Sequence, residues 1–169
     1  MESERMELYH RAMYVKMHER LEESARSAAV FAFSYRGFQV GCAVLAWNSK
    51  GRYKIFTGSN IKPEEDGPKV CAEQVAIGAA RSEGYDLIVA LAVAGEPQQD
   101  SVSGIYPPTL HPCWICRRLL GTLPEIRPDT VVLTLGNGNG VVEELSVETL
   151  LKMHSVCAPE SSRTEARAV

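Results

Sequence analysis

The amino-acid sequence predicts an α/β protein with a three-layer α/β/α fold around a central mixed sheet of about five strands. Apolar residues recur every three or four positions over about residues 5–30, which indicates a long amphipathic helix. The segment LIVALAVAG (87–95) is an unbroken apolar run, as expected for a strand that is buried on both faces. The predicted order is helix, two strands, helix, strand, helix, hairpin and helix, which indicates helix layers on both faces of one sheet.

The first predicted element is the helix over about residues 5–30. Charged residues separate its apolar positions, which are Met6, Tyr9, Met13, Met17, Leu21, Ala25 and Ala28. We expect this stripe, including its methionines, to face the core. His10 and His18 in this helix, and His154 near the other end of the chain, lie in charged surroundings, and we expect them to be solvated.

A β-hairpin is predicted next, because QVGCAVLAW (39–47) and RYKIFTGSN (52–60) are joined by the polar turn NSKG. Cys42 lies inside the first run and is expected to be a small buried residue without chemistry. The prolines, glycine and charges of IKPEEDGPK (61–69) indicate a loop. The Ala-rich segment 70–84 then indicates a helix that ends at a glycine.

The second half of the chain contains the longest predicted loop, 96–112, which ends at a proline suited to a helix entrance. The segment 113–123 is the helix that follows it. TVVLTL, the turn NGNG and VVEEL predict a second hairpin, and SVETLLKMHS (146–155) predicts a closing helix.

Length and composition are those of an ordinary globular protein, with 169 residues, 45% of them apolar and 23% charged. We expect one domain over residues 1–156 and a flexible polar tail over 157–169. The formal charge of -3 lacks the basic excess of a nucleic-acid binder, so no nucleic-acid partner is expected. The charged N-terminus has no apolar segment of signal-peptide or membrane-spanning length, so we expect no membrane association and a cytoplasmic location.

The cysteines are odd in number, which argues against a disulfide framework; they are Cys42, Cys71, Cys113, Cys116 and Cys157. Two of them form the C-x-x-C of HPCWIC, directly after a proline. This motif has three interpretations: a redox pair, half of a structural zinc site, or two of the three protein ligands of a catalytic zinc. The cysteines alone do not decide between them.

The positions of three cysteines favour a metal site. Cys71 begins one predicted helix, and Cys113 and Cys116 begin another, so two helix N-termini can meet at one point. Each helix start carries unpaired N–H groups and about half a positive charge, and the two together offset the one negative charge that three thiolates leave around Zn²⁺. Three protein ligands also leave one position open for water. Glu73, on the first turn after Cys71, can then move protons at that water without binding the metal.

Two motifs, C-A-E at 71–73 and P-C-W-I-C at 112–116, together resemble the signature of zinc-dependent nucleoside and nucleobase deaminases. Because the first ligand is Cys rather than His, the chain resembles the cytidine deaminase family and the similar blasticidin S deaminases. The resemblance runs from about Phe38 to Leu120.

The resemblance implies a cytidine deaminase-like fold and one catalytic zinc on Cys71, Cys113 and Cys116. It also implies hydrolytic deamination at C4 of a cytosine-like ring, with Glu73 as the general acid and base. The implied substrate is a small nucleoside-like molecule, and the implied assembly is a homotetramer.

The resemblance also implies substrate contacts. Phe38, in a segment similar to the F-x-V-G-A of the family, would help to enclose the pyrimidine. Asn60, in a loop similar to G-x-N-V-E-N, would contact the ribose. The main-chain N–H of Ala72 would hold the base carbonyl, and the carbonyl of His111 would accept from the exocyclic amine.

The sequence departs from the family pattern at two positions near these contacts. Lys62 replaces a glutamate that bonds the sugar hydroxyl, so we expect it to face an anionic group such as a phosphate or carboxylate. Gln74 replaces the arginine that many members have after C-A-E, and this leaves Arg117 or Arg118 to offset the thiolate charge.

Other interpretations of the motif explain fewer residues. A redox pair does not explain Cys71 or Glu73. A structural zinc site needs a fourth ligand, for which His111, Cys42 and Cys157 are the candidates. A zinc-stabilised binding protein on a disabled deaminase scaffold is the alternative outside the enzymes.

Overall fold

The computed structural model describes residues 2–99, 106–136, 138 and 140–153. His154, the predicted tail from Cys157 onward, and Asn137 and Asn139 of the NGNG turn lie outside the described residues. The helices and strands, in chain order, are α1 (Glu2–Ala29), β1 (Phe33–Ser34), β2 (Val40–Trp47), β3 (Tyr53–Ser59), β4 (Ile61–Lys62), α2 (Ala72–Ser82), β5 (Leu87–Gly95), α3 (Trp114–Thr122), β6 (Ile126–Gly136), β7 (Val142–Ser146) and α4 (Val147–Met153).

The central sheet has five strands, as predicted, and their order is β3-β2-β5-β6-β7. Strands β5 and β6 are parallel and the other neighbours are antiparallel, so the sheet is mixed. Every residue of β5 is buried, which confirms the prediction from its unbroken apolar sequence. The connection from β5 to the parallel β6 contains α3, so the position of α3 is tied to the carboxyl end of β5.

Helices cover both faces of the sheet, which confirms the three-layer architecture. On one face, Leu21 and Ala25 of α1 pack against Leu45, Leu133 and Leu135 of the sheet. On the other face lie α2, α3 and α4, whose buried contributions include Ile77, Leu120 and Leu150. Cys42 is fully buried in this second layer, as predicted.

The buried face of α1 differs from the prediction at its first turns. His10, which we expected to be solvated, is only 8% exposed, and its Nδ1 lies 2.6 Å from the hydroxyl of Tyr53. Tyr9 was assigned to the core and is instead 50% exposed. The buried face of α1 runs through His10, Tyr14 and Leu21. The ring of His10 can be buried because it packs against the ring of Trp47 and lies within hydrogen-bond distance of the Tyr53 hydroxyl.

Two further differences concern the strands. Ile61 and Lys62, predicted to be in a loop, form β4, which pairs in parallel with β1 through the register Phe33↔Ile61. Strand β6 begins at Ile126, ahead of the predicted TVVLTL run, and its register with β5 is irregular across the segment that contains Pro128. In the described part of the chain, no helix is both long and apolar enough to cross a membrane.

Candidate metal centre and active site

The structure brings the three predicted cysteine ligands together. Cys71 is the N-cap of α2 and Cys113 is the N-cap of α3, and both have extended backbone conformations. Cys116 lies in the first turn of α3 and is fully buried. The three Sγ atoms lie within 4.8 Å of one another, and those of Cys71 and Cys113 are 3.7 Å apart. Two helix N-termini therefore meet at one cluster of thiols.

This geometry fits a tetrahedral zinc ion. Sulfurs at two corners of a tetrahedron with Zn–S bonds of about 2.3 Å are about 3.8 Å apart, close to the separation between Cys71 and Cys113. Among the described residues, the metal-competent cluster contains Cys71, Cys113 and Cys116 and no fourth ligand. Neither His111 nor Cys42, proposed above as a fourth ligand of a structural site, belongs to it. Three ligands correspond to a zinc site with one open position.

Two local features place Cys71. The backbone N–H of Cys71 donates to Oε1 of Gln74 at 2.9 Å, which satisfies a donor at the start of α2. In β3, a Cβ added at Gly58 would lie 2.3 Å from the carbonyl oxygen of Ala72 and 2.6 Å from the backbone nitrogen of Ala76. Only glycine allows β3 to approach the first turn of α2 this closely.

The three thiols share negative charge unevenly. Hydrogen bonds from the Cys116 and Cys71 thiols lower the pKa of Cys113, with help from the N–H groups of Cys116 and Ile115. The hydrogen bond to Cys113 raises the pKa of Cys71 to about 11, and the same interaction raises the pKa of Cys116. A metal ion that takes all three as thiolates must therefore displace protons from Cys71 and Cys116.

Glu73 is 4% exposed and lies on the first turn of α2, beside this cluster. Burial raises the pKa of Glu73 to about 7, and the charge of Cys113 adds to this effect. Hydrogen bonding to its own backbone and to Cys116, and the charge of Lys62, oppose it. A carboxyl group with a pKa near neutrality can both accept and donate a proton, as general acid–base catalysis requires.

Asn60 fixes the segment that carries Phe38. Its Oδ1 accepts the backbone N–H of Val40 at 2.9 Å, and its Nδ2 donates to the carbonyl of Phe38 at 2.9 Å. Asn60 is 1% exposed, and these two bonds leave one amide N–H and one lone pair for another partner. Lys62 follows on β4, and its Nζ lies 5.7 Å from the centre of the Phe38 ring.

The remaining predicted contacts lie at the two helix starts. Ala72 is fully buried as the first residue of α2, where the N–H groups have no partner within the helix. His111 precedes α3, and its Nε2 lies 3.0 Å from Oε2 of Glu143 on β7. Trp114 and Ile115, between the paired cysteines, are 42% and 45% exposed.

Sequence reasoning missed two residues at this site. Gln74 was treated only as a missing arginine, although a glutamine three residues after an N-cap is a recognised capping signal. Glu143 was treated only as a strand residue of VVEEL. Its neighbours Thr109 and His111 are distant in sequence, so no local pattern indicates their contact.

Comparison with known proteins agrees with this geometry. Residues 15–134 match the family described as the cytidine and deoxycytidylate deaminase zinc-binding region. The chain is 32% identical to the cytidine deaminase of Halalkalibacterium halodurans over 117 residues. This aligned segment is 69% of this chain and 76% of that protein.

Solved structures agree in the same way. The cytidine deaminase of Burkholderia pseudomallei has a TM-score of 0.63 and 29% identity, over 79% of this chain and 94% of that one. The cytidine deaminase of Mycobacterium tuberculosis has a TM-score of 0.51 and 30% identity, over 68% of this chain and 81% of that one. From its sequence match, its fold and its cluster of three cysteines, the chain belongs to the cytidine and deoxycytidylate deaminase family of zinc-binding proteins.

Proposed function

We propose that this protein is a zinc-dependent hydrolytic deaminase that converts a cytidine-like aminopyrimidine nucleoside to its uridine-like product and ammonia. The observation that carries the proposal is the placement of the buried Glu73 beside three converging thiols at two helix starts. Family membership and the likeness to solved cytidine deaminases support the same reaction.

Cys71, Cys113 and Cys116 would hold the zinc. When bound, zinc supplies a Lewis acid that makes a water molecule nucleophilic near neutral pH. Glu73 accepts a proton as the water oxygen bonds to C4 of the ring, and passes a proton to the ring nitrogen N3. It then delivers the second water proton to the exocyclic amine, the C4–N bond breaks, and ammonia leaves. The pKa of about 7 at Glu73 suits both directions of proton transfer.

The substrate contacts are part of the proposal. The ring of Phe38 packs against the pyrimidine, and the N–H of Ala72 donates to the base carbonyl. The backbone carbonyl of His111 accepts from the exocyclic amine. Asn60, which holds Phe38 in place, uses its remaining N–H for a sugar hydroxyl.

Lys62 supports a second candidate, a substrate with an anionic substituent such as a nucleoside monophosphate or a carboxylate-bearing nucleoside. Its ammonium group lies over the Phe38 ring, and it forms no ion pair with a carboxylate in the described part of the chain. A partly buried ammonium group can form charge-assisted hydrogen bonds to an anionic group of the substrate.

One panel tests both candidates. The zinc-loaded protein is given cytidine, deoxycytidine, their monophosphates and blasticidin S, and ammonia release is measured. Ammonia from at least one aminopyrimidine supports the deaminase. No release from any of them with stoichiometric zinc present favours the non-catalytic binding protein.

The variant Lys62→Glu separates the two substrate classes. If Lys62 binds an anionic group, the variant loses at least about tenfold in kcat/KM for the preferred anionic substrate, since a hydrogen bond to a charged group contributes about 1.5–3 kcal/mol. Its kcat/KM for uncharged cytidine should fall less, since that substrate loses only the effect of the Lys62 charge on Glu73. Best activity on plain cytidine, unaltered in Lys62→Glu, would contradict the anionic candidate.

We also propose a homotetramer that acts on free nucleosides in the cytoplasm, in pyrimidine salvage. Phe31, Phe33 and Ile61 are 81%, 61% and 50% exposed, and Phe33 pairs directly with Ile61, so they offer apolar area for contact between copies. The unpaired thiols of the described cysteines suit a reducing compartment. Light scattering coupled to gel filtration measures the assembly.

A further inference from the structure

The carboxylate of Glu143 on β7 holds the segment that leads into α3. Its Oε2 accepts from the hydroxyl of Thr109 and lies 3.0 Å from Nε2 of His111. Thr134 on β6, directly across the sheet from Glu143, lies 2.7 Å from the Thr109 hydroxyl. Thr109 and Thr134 are fully buried. One carboxylate oxygen therefore forms hydrogen bonds with two residues of the 109–112 segment.

The direction of these hydrogen bonds follows from the donors available. An ionised carboxylate accepts only, so Thr109 and Nε2–H of His111 both donate to Glu143. The hydroxyl of Thr109 has one proton, which is used for Glu143, so the Thr134 hydroxyl donates either to Thr109 at 2.7 Å or to Oε2 of Glu143 at 3.5 Å. Burial tends to raise the pKa of Glu143, but hydrogen bonds from Thr109 and His111 outweigh it and keep the pKa below its ordinary value. Three side chains, Thr109, Thr134 and His111, therefore lie within hydrogen-bond distance of Oε2 of Glu143.

Glu144, the next residue, faces the opposite side of the sheet. Its Oε2 accepts from the hydroxyl of Tyr14 on α1 at 2.7 Å. Two adjacent glutamates on one edge strand therefore make similar bonds to opposite layers, and only Glu143 reaches the segment beside the thiol cluster. This gives a matched control within the same strand.

We propose that Glu143 is a positioning residue for the active site, which acts through Thr109 and His111 on the backbone of residues 109–113. The same segment also contacts the sheet through the N–H of Leu110, which donates to the carbonyl of Leu135 at 3.5 Å, and through the buried Leu110 side chain in the core. Without Glu143, buried hydroxyls lose their acceptor and the carbonyl of His111 loses its fixed direction. The role of that carbonyl rests on the deaminase function proposed above.

The test compares Glu143→Ala, Glu143→Gln and Glu144→Ala with the parent protein, all loaded with zinc. We expect Glu143→Ala to keep one zinc per chain and to lose about 10- to 100-fold in kcat/KM, mainly through KM, as is usual for residues that orient a site from behind. Glu143→Gln keeps an acceptor oxygen and should restore part of that loss. Glu144→Ala should lower the melting temperature without changing KM.

Two further measurements separate this inference from the deaminase proposal. Hydrogen exchange at the backbone amides of residues 109–111 and 113 should accelerate in Glu143→Ala and not in Glu144→Ala, whether or not the protein is a deaminase. Thr109→Val combined with Glu143→Ala should lower kcat/KM by less than the product of the two single effects, because both substitutions remove the bond between Thr109 and Glu143. Unchanged exchange at these amides in Glu143→Ala, or equal acceleration in Glu144→Ala, would overturn the inference. An inactive parent protein would overturn only the deaminase proposal.

Discussion

The backbone N–H of Cys71 donates a 2.9 Å hydrogen bond to the side-chain oxygen of Gln74, one turn into the same helix. This bond fixes the backbone of a proposed zinc ligand at the residue where α2 begins. Gln74 thus orients Cys71, whereas an arginine at that position would act on the thiolate charge. The capping role explains why a neutral residue is useful here.

Gln74→Met tests this role, because methionine has a similar size and no acceptor oxygen. Loss of a helix-capping bond costs about 1 kcal/mol, so we expect lower thermal stability. Zinc affinity should fall about tenfold, since residues that orient ligands affect affinity on that scale. Competition with a fluorescent zinc chelator measures the affinity. Gln74→Glu keeps an acceptor for the Cys71 N–H, and a loss of capping stability in Gln74→Glu equal to that in Gln74→Met would contradict this explanation.

Replacement of any of Cys71, Cys113 or Cys116 by serine should abolish stoichiometric zinc binding. Each removes one of the three sulfurs that converge within 4.8 Å, and a site with two thiolates holds zinc poorly. Cys42→Ala is the control, because Cys42 is fully buried on β2 and lies outside the cluster. Elemental analysis after dialysis gives the zinc content. Full zinc retention in Cys113→Ser, or loss of zinc in Cys42→Ala, would refute the assignment.

The metal centre could be predicted from sequence because its ligands are N-caps and first-turn residues of helices that leave clear local signals. Cys71 and Cys113 each precede a helical pattern, and convergence of two helix starts needs little knowledge of strand register. Glu143 could not be predicted, because its contact with Thr109 depends on the pairing of β7 with β6. The prediction that His10 is solvated was wrong for a related reason. The charged neighbours of His10 on α1 indicated exposure to solvent, but its partners, Trp47 and Tyr53, lie on the hairpin, far away in sequence.

Glu73→Gln should retain zinc and lose most turnover. The glutamine has nearly the same shape and cannot exchange protons, so kcat should fall by about 10²- to 10⁴-fold, the usual contribution of general acid–base catalysis. Ammonia release and zinc content are measured on the same preparation. A variant with parental kcat would remove Glu73 from the proposed proton path. Loss of zinc would instead assign Glu73 to metal binding.

Gly58→Ala should displace the first turn of α2, which carries the metal site, although Gly58 itself lies on β3. The added methyl group would lie 2.3 Å from the carbonyl oxygen of Ala72, so α2 must shift away from β3. We expect a loss of about 1–3 kcal/mol in the free energy of unfolding, typical of overpacking, together with weaker zinc binding.

Gly78→Ala is the matched control for Gly58→Ala, because it changes a glycine of α2 around which a new Cβ meets no atom within 4 Å. It should stabilise the protein by up to about 1 kcal/mol through helix propensity alone. Urea unfolding measures both variants. Equal effects of the two substitutions would show that the close approach of β3 to α2 does not matter.

His10 should make the protein less stable in mild acid. Burial lowers the pKa of His10 from its ordinary value of 6.5, and Arg127 lowers it further, while Asp129 partly opposes them. Above pH 6.5 the imidazole is neutral in both the folded and unfolded chains, so its contribution is constant. As the pH falls below 6.5, the unfolded chain takes up the proton first, and the free energy of unfolding declines until the folded pKa is reached. The decline has a limiting slope of about 1.4 kcal/mol per pH unit.

His10→Gln removes this titration and can keep a hydrogen bond to Tyr53. The free energy of unfolding of the variant should therefore fall less than that of the parent protein between pH 7.5 and pH 5.5. Urea unfolding at each pH measures it. His18→Gln, on the same helix, is the control, because the ring of His18 contacts only the nearby Val15 carbonyl among the hydrogen bonds described for it. If His10→Gln loses as much stability in acid as the parent, the burial of His10 is not the cause. If His18→Gln removes the decline instead, the acid sensitivity does not come from His10.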